Sequence, residues 1–210
     1  MFRDRIDAGF QLSTALARYK GQPGIVLAIP RGGIPVGFIV AGELGMPLEI
    51  LLSKKIGHPA QPEYAIGAVT LTDRDIEPHP GVTDAYIEEQ TRLIREKLRE
   101  NQQKFMGDRK PTPLENKILI VVDDGIATGH TLMSTLKMLR KEKPGRIVVA
   151  VPVCPVDAAK RISEVADEFV TLLLPESFHG VGGFYEDFSQ VSDEEVKKYL
   201  RQSREREQNT

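Results

Sequence analysis

The stretch from Ile118 to Thr131, ILIVVDDGIATGHT, constrains the fold more than any other part of the chain. Residues 118–122 are all apolar and mostly β-branched, the pattern of a buried parallel strand. Asp123 and Asp124 follow, then a turn through Gly125, Thr128, Gly129 and Thr131, and a helical pattern begins near Leu132. A strand that turns into a helix this way points free backbone N–H groups and the positive end of a helix dipole at one spot. Two threonine hydroxyls add donors there, so the turn is a phosphate cradle. The two carboxylates on its rim would repel phosphate. They suit sugar hydroxyls or a hard cation such as Mg²⁺ instead. No Lys follows the second Gly, so the stretch is not a Walker loop, and it lacks the dinucleotide G-x-G-x-x-G.

The rest of the chain alternates strands and helices around this motif. Residues 4–19 read as a helix, ended by Gly21-Gln22-Pro23-Gly24. Residues 25–29 form a strand that runs into Pro30-Arg31-Gly32-Gly33, a second strand-to-turn junction. A helix over 34–44 and a strand over 46–52 complete a right-handed βαβ unit. Residues 53–63, SKKIGHPAQPE, hold little apolar content and read as a mobile loop. Residues 64–72 alternate weakly and pair with a strand near Ile76. A long helix over 84–106 carries Ile87, Ile94, Leu98 and Phe105 on one stripe, open to two readings: core packing or contact with a second subunit. Beyond the motif come a helix to Glu142, a strand over 146–151, a helix over 157–165 and a strand over 168–174. An irregular segment over 175–190 precedes a last helix that starts at Ser192. Such alternation predicts an α/β fold: a single domain with a mostly parallel twisted sheet and helices on both faces. Ligands in such sheets bind beyond the carboxyl ends of the strands, where the central motif and Arg31-Gly32-Gly33 both sit.

Two acids, a glycine and T-G-x-T after an apolar strand resemble the ribose-phosphate loop of the type I phosphoribosyltransferases. The likeness covers most of residues 24–190, and the chain looks nearest to the phosphoribosyltransferase-like proteins of bacteria and archaea. It implies that phosphoribosyl pyrophosphate (PRPP) gives its phosphoribosyl group to a nitrogen heterocycle, with Mg²⁺ as cofactor and release of pyrophosphate. Asp123 and Asp124 would take the ribose hydroxyls and would meet the metal, directly or through those hydroxyls. Gly125, Ile126, Ala127, Thr128, Gly129, His130 and Thr131 would bind the 5′-phosphate. Arg31, Gly32 and Gly33 match the family's pyrophosphate loop, where a cis or strained peptide at Pro30–Arg31 or Arg31–Gly32 is expected. Lys54 and Lys55 match cations of a mobile loop that closes over the site, with Glu63 positioning partners. Pro175 to Phe188 resembles a small hood in which Phe178 stacks on the acceptor base. The domain spans 1–200, with the hood near 175–190 and a disordered tail over 201–210.

The chain departs from the hypoxanthine-type members at the acceptor. Ala127 stands where they carry an acid–base Asp, and Cys154 stands near the place of a Lys that reads a 6-oxo group. A water, His130, His179 or Glu176 would have to stand in for the acid. A rival reading is a non-catalytic PRPP or nucleotide sensor that acts through a protein partner. A generic flavodoxin-like fold explains the two acids but not the threonines or Arg31-Gly32.

Composition narrows the setting. With 210 residues and a net charge of −2, the chain has room for a full core and no electrostatic footprint for nucleic acid. Residues 1–24 are short for a DNA-binding domain ahead of the first strand. One cysteine, Cys154, allows no internal disulfide and points to a reducing, cytoplasmic setting. The N-terminus MFRDRIDAGF carries charges where a signal peptide needs its apolar core, and no apolar run is long enough to span a bilayer. The expected partners are therefore PRPP, a small heterocycle and a possible second copy of the chain, with neither nucleic acid nor membrane.

Overall fold

The computed structural model describes residues 1–109 and 111–208. They form two compact units. The first unit comprises 1–51, 111–128 and 143–208 of the described residues, and the second 52–109 and 129–142.

The first unit is built on a five-stranded sheet. Its strands are β1 (Gly24–Ala28), β2 (Leu48–Ile50), β6 (Ile118–Val122), β7 (Arg146–Val153) and β8 (Glu168–Leu173), in the order β2-β1-β6-β7-β8. Every pairing is parallel, as expected from the buried apolar runs. β1 and β6 run side by side in register, from Gly24 opposite Ile118 to Ala28 opposite Val122. Their side chains, including Ile25, Val26, Leu119 and Ile120, are buried. Each such side chain contributes about 1.5–3 kcal/mol through burial.

Helices flank this sheet. α1 (Arg5–Ala15) starts at Asp4, whose carboxylate accepts from the Asp7 N–H, and packs against α2 (Gly33–Leu44). α2 is buried along nearly its whole length and ends at Gly45 with φ 68°, the left-handed cap that glycine adopts without a Cβ penalty. α5 (Val156–Ser163) packs on β8. α6 (Asp193–Gln208) packs on α2 and β2.

The second unit has its own small core. β3 (Ser53–His58), β4 (Gln61–Thr70) and β5 (Arg74–Ile76) form an antiparallel sheet in that order, packed with α3 (Asp84–Met106) and α4 (His130–Lys141). Ile56, Ile66, Val69, Leu98 and Leu136 are buried within it. The α3 stripe of Ile94, Leu98 and Phe105 is buried in the chain itself, so core packing accounts for it.

Two local expectations are corrected. Residues 53–63 are not a loop but most of a β3–β4 hairpin. Ile56 opposes Gly67 and is fully buried, which anchors a segment with no other large apolar side chain, and Lys55 Nζ bonds Glu63 Oε2 at 2.9 Å. The tail is not disordered through 208, and residues 209–210 lie outside the described residues. α6 continues because its last turns have partners. The Arg206 guanidinium lies 4.2 Å from the centre of the Phe38 ring, Ser203 is buried, and the Leu48 N–H approaches Glu207 Oε1 at 3.4 Å. Deleting residues 201–210 is therefore expected to lower stability by about 2 kcal/mol, or roughly 4–8 °C in melting temperature, through re-exposure of Phe38 and loss of its cation. An unchanged melting curve would mean that the last turns of α6 are not docked.

Candidate active site

The in-register pairing of β1 and β6 sets two turns next to each other at their carboxyl ends. The β1 turn is Pro30-Arg31-Gly32-Gly33, and its Pro30–Arg31 peptide is cis, as the family likeness implies. The β6 turn opens with Asp123-Asp124. The two turns pack so closely that only glycine fits on the β1 side. A Cβ at Gly32 would collide with Asp124 Oδ2, and one at Gly33 would lie 2.9 Å from Asp123 Cα and from the Val122 carbonyl oxygen. Arg31, Gly32 and Gly33 are thus brought together with Asp123 and Asp124.

The acids sit in a demanding electrostatic setting. Asp123 Oδ1 accepts from the Asp124 N–H at 2.8 Å. Asp124 Oδ2 accepts from Arg5 Nε at 2.9 Å. Burial first, then the Asp124 charge, pushes the Asp123 carboxyl well above the usual carboxylate range. Burial also raises Asp124, against the opposing pull of Arg5.

The loop beyond the acids is stapled from behind. The Tyr185 hydroxyl donates to the Asp124 carbonyl at 2.6 Å, and burial together with the Asp124 charge pushes its phenol well up, so it remains a donor. The Ile126 N–H donates to the Val153 carbonyl at 3.0 Å, and Arg161 Nη2 donates to the Thr128 carbonyl at 3.0 Å. The Ile126 side chain is buried, so this residue offers backbone alone. Among the described residues, the N–H groups of Gly125, Ala127 and Thr128 have no protein acceptor. Gly129 adopts φ 73° as it starts α4, a left-handed conformation suited to glycine. Open N–H groups at a helix start are what an anion-binding turn needs.

The other expected residues fall as follows. Ala127 and Thr128 are exposed. In the second unit, Thr131 lies in the first turn of α4, and His130 lines a small cavity of about 110 Å³ with Tyr64, Glu77 and Lys137. Lys54 is exposed on β3, and Lys55 is paired with Glu63, the residue expected to position partners. In the first unit, Phe178 is half-buried and stacks on Phe184, with ring centres 5.8 Å apart and planes 17° apart. Val181 packs over Gly125, where a Cβ would collide with it. Cys154 is fully buried, and burial pushes its thiol up to about 11, so it is a weak donor and no anion at neutral pH.

Four residues were missed by sequence reasoning: Arg5 and Tyr185 on Asp124, Arg161 on Thr128, and Asp193, whose Oδ1 lies 3.6 Å from Arg31 Nη1. Each lies more than thirty residues from its partner in sequence, and no local pattern marks such a pairing.

The acid pair is a candidate for Mg²⁺ only in one mode. Arg5 and the Asp124 N–H already take one oxygen of each carboxylate, and among the described residues no group of three or more His, Cys, Asp or Glu side chains surrounds a cation. This donor set fits a cation held by one or two carboxylates together with substrate oxygens and water, the usual habit of Mg²⁺.

Comparison with known proteins agrees with this geometry. Residues 7–189 match the phosphoribosyl transferase domain family, and the chain belongs to it. A Mycobacterium tuberculosis H37Rv protein, provisionally named a phosphoribosyl transferase, is 38% identical over 205 residues. That match covers 95% of this chain and 46% of the relative, so the chain spans about half its length. The crystal structure of TT1426 from Thermus thermophilus is 36% identical, covers 96% of this chain and 98% of its own, and superposes with a TM-score of 0.86. A Neisseria gonorrhoeae protein solved with bound ppGpp shares the fold at 14% identity and a TM-score of 0.52, covering 96% of this chain and 98% of its own.

Crowding of Asp123 by burial and by Asp124 carries a stability cost. Its folded pKa is raised, so the native state loses stability as pH rises from the ordinary carboxylate value through the raised one. Asp123→Asn is expected to melt higher than wild type at neutral pH without ligand, with the gap closing as pH falls toward 4. Thermal melts across pH check this, and a lower melting temperature for Asp123→Asn at neutral pH would contradict it.

Proposed function

We propose that this chain transfers the phosphoribosyl group of PRPP to a nitrogen heterocycle and releases pyrophosphate. The observation that carries the reading is the packing of Gly32 and Gly33 on Asp123 and Asp124. It supports the reading by setting the turn proposed for pyrophosphate beside the two acids proposed for the sugar, with N–H groups that have no protein acceptor following along the same β6 turn. Family membership supports the reaction type, and the acceptor and Mg²⁺ are part of the proposal.

In this reaction the bond from C1 of the ribose to the pyrophosphate oxygen breaks, and a bond from C1 to the acceptor nitrogen forms. The acceptor's proton leaves to solvent or to a nearby base. Bond breaking runs ahead, so the sugar becomes cation-like, and positioning and electrostatics supply most of the catalysis. Asp123 and Asp124 accept hydrogen bonds from the ribose hydroxyls, and their charge favours the cationic sugar. The N–H groups of Gly125, Ala127 and Thr128 take the 5′-phosphate, with the Thr128 and Thr131 hydroxyls. Arg31 meets the pyrophosphate and gives up Asp193 to do so. Lys54 and Lys55 keep the role the family likeness gives them, as counter-charges for pyrophosphate. Bound Mg²⁺, which Asp123 or Asp124 would hold together with substrate oxygens and water, would supply charge neutralisation for the departing pyrophosphate. Phe178 offers the face not covered by Phe184 to a flat base, and stacking of this kind tolerates many bases.

One observation favours a second reading, a binder of PRPP or a nucleotide that acts through a protein partner. At the two places where hypoxanthine-type members carry an acid–base Asp and a Lys, this chain has Ala127, which cannot titrate, and Cys154, which is buried with a raised thiol. Hypoxanthine and guanine are accordingly expected to be poor acceptors.

Two measurements test the reading together. Calorimetry with PRPP and Mg²⁺ is expected to show binding that weakens about ten- to a hundredfold for each of Asp123→Asn and Asp124→Asn. Pyrophosphate release across a panel of heterocycles is expected with at least one of them. Equal PRPP affinity in wild type and both variants would sink the site, and binding without release for any base would favour the sensor.

A further inference from the structure

Arg5 opens α1, far in sequence from the acids, and the reaction described above gives it no task. Its guanidinium is nevertheless fastened at three points. Nε donates to Asp124 Oδ2 at 2.9 Å, in an ion pair whose side chains are only 11% and 13% exposed. Nη1 donates to the Ser189 carbonyl at 2.8 Å. Its central carbon stands 3.9 Å from the centre of the Phe188 ring. The segment before α1 is itself stitched in place. The Phe2 N–H donates to the Phe184 carbonyl at 2.9 Å, and the Glu186 and Asp187 N–H groups donate to Phe2 and Arg3 carbonyls at 2.8 Å. Phe2 is buried against Tyr185, with ring centres 5.2 Å apart. Arg5 is thus delivered by a fixed backbone, and an arginine held on its far side by Ser189 and Phe188 is part of the wall of the site.

We propose that Arg5 is a positioning residue for sugar recognition, which holds Asp124 with Oδ2 turned to Arg5 and Gly32 so that Oδ1 is the oxygen offered to a ribose hydroxyl. The inference rests on the phosphoribosyl reading given above. The terminal torsion of an aspartate is broad and roughly two-fold, so the carboxylate needs an external partner to fix its plane. Gly32 supplies one boundary, because Oδ2 lies where any Cβ at that position would be. Arg5 supplies the other through a charge-assisted bond, which is shorter and stronger than a neutral one. The same guanidinium carries Phe188 and Ser189, so the sugar acid and the hood segment share one support.

A double-mutant cycle read by calorimetry with PRPP and Mg²⁺ tests this, using wild type, Arg5→Met, Asp124→Asn and the double variant, with thermal melts of each. Arg3→Met is the charge control, since Arg3 is exposed and, among the described residues, its side chain bonds only Asp7. Arg5→Met is expected to weaken PRPP about tenfold or more, the worth of a hydrogen bond to a charged group. That loss should disappear in the Asp124→Asn background, Arg3→Met should bind as wild type does, and Arg5→Lys should recover part of the affinity. If Arg5→Met does not fold, Arg5→Lys carries the cycle, with a smaller loss that again disappears beside Asp124→Asn. Full affinity in Arg5→Met, tighter binding in it, or losses that simply add would each overturn the positioning role while leaving the phosphoribosyl reading intact. Failure of wild type to bind PRPP would instead remove that reading, and the inference with it.

Discussion

The in-register parallel pairing of β1 with β6 is the constraint on which the site depends. Register fixes where each strand ends, and here both end level, at Ala28 and Val122. The turns that follow are therefore forced side by side, and no Cβ can stand between them at Gly32 or Gly33. Function enters through that contact. One turn brings backbone and an arginine, the other brings two carboxylates and then open N–H groups. A one-residue slip of β6 would reverse every side chain on it and turn the acids away from the glycines. The fully buried residues on both strands make such a slip costly, so the core of the sheet secures the geometry at its rim.

The acids are maintained against their own electrostatics. Two neighbouring, shielded carboxylates repel each other and lose hydration. The structure offsets this in part, with the Asp124 N–H on Asp123 and Arg5 on Asp124, and leaves one oxygen of each clear of those bonds. Arg31 is similarly provisioned, with Asp193 beside it. In the proposed function, a ligand that brings hydroxyls, a cation and pyrophosphate would complete both halves.

Much of this was legible in the sequence, and for identifiable reasons. Apolar runs such as 118–122 and 146–151 can be little else than buried strands, and α3 was readable over 84–106 because its charges and its Ile94, Leu98 and Phe105 stripe follow one helical period. Glycine patterns marked the two turns because close approach demands glycine there. Three features were hidden. The hairpin over 53–63 depends on Ile56 meeting Gly67, and a single large apolar residue in the segment gives no period. The end of α6 depends on Phe38 and Leu48, which lie in another part of the chain. Arg5 was hidden for the same reason, since a helix-opening arginine looks solvated until its partner is known. The roles of Phe178, Lys54 and Lys55 rest on the family likeness.

The measurement that bears most directly on the central claim is a crystal structure of this protein grown with PRPP and Mg²⁺. The account predicts the ribose hydroxyls within hydrogen-bond reach of Asp123 and Asp124, about 2.6–3.2 Å between heavy atoms, with Arg5 still on Asp124 Oδ2. It also predicts the 5′-phosphate on the N–H groups of residues 125–128. PRPP bound away from the β1 and β6 turns, or bound with its ribose clear of both carboxylates, would contradict it.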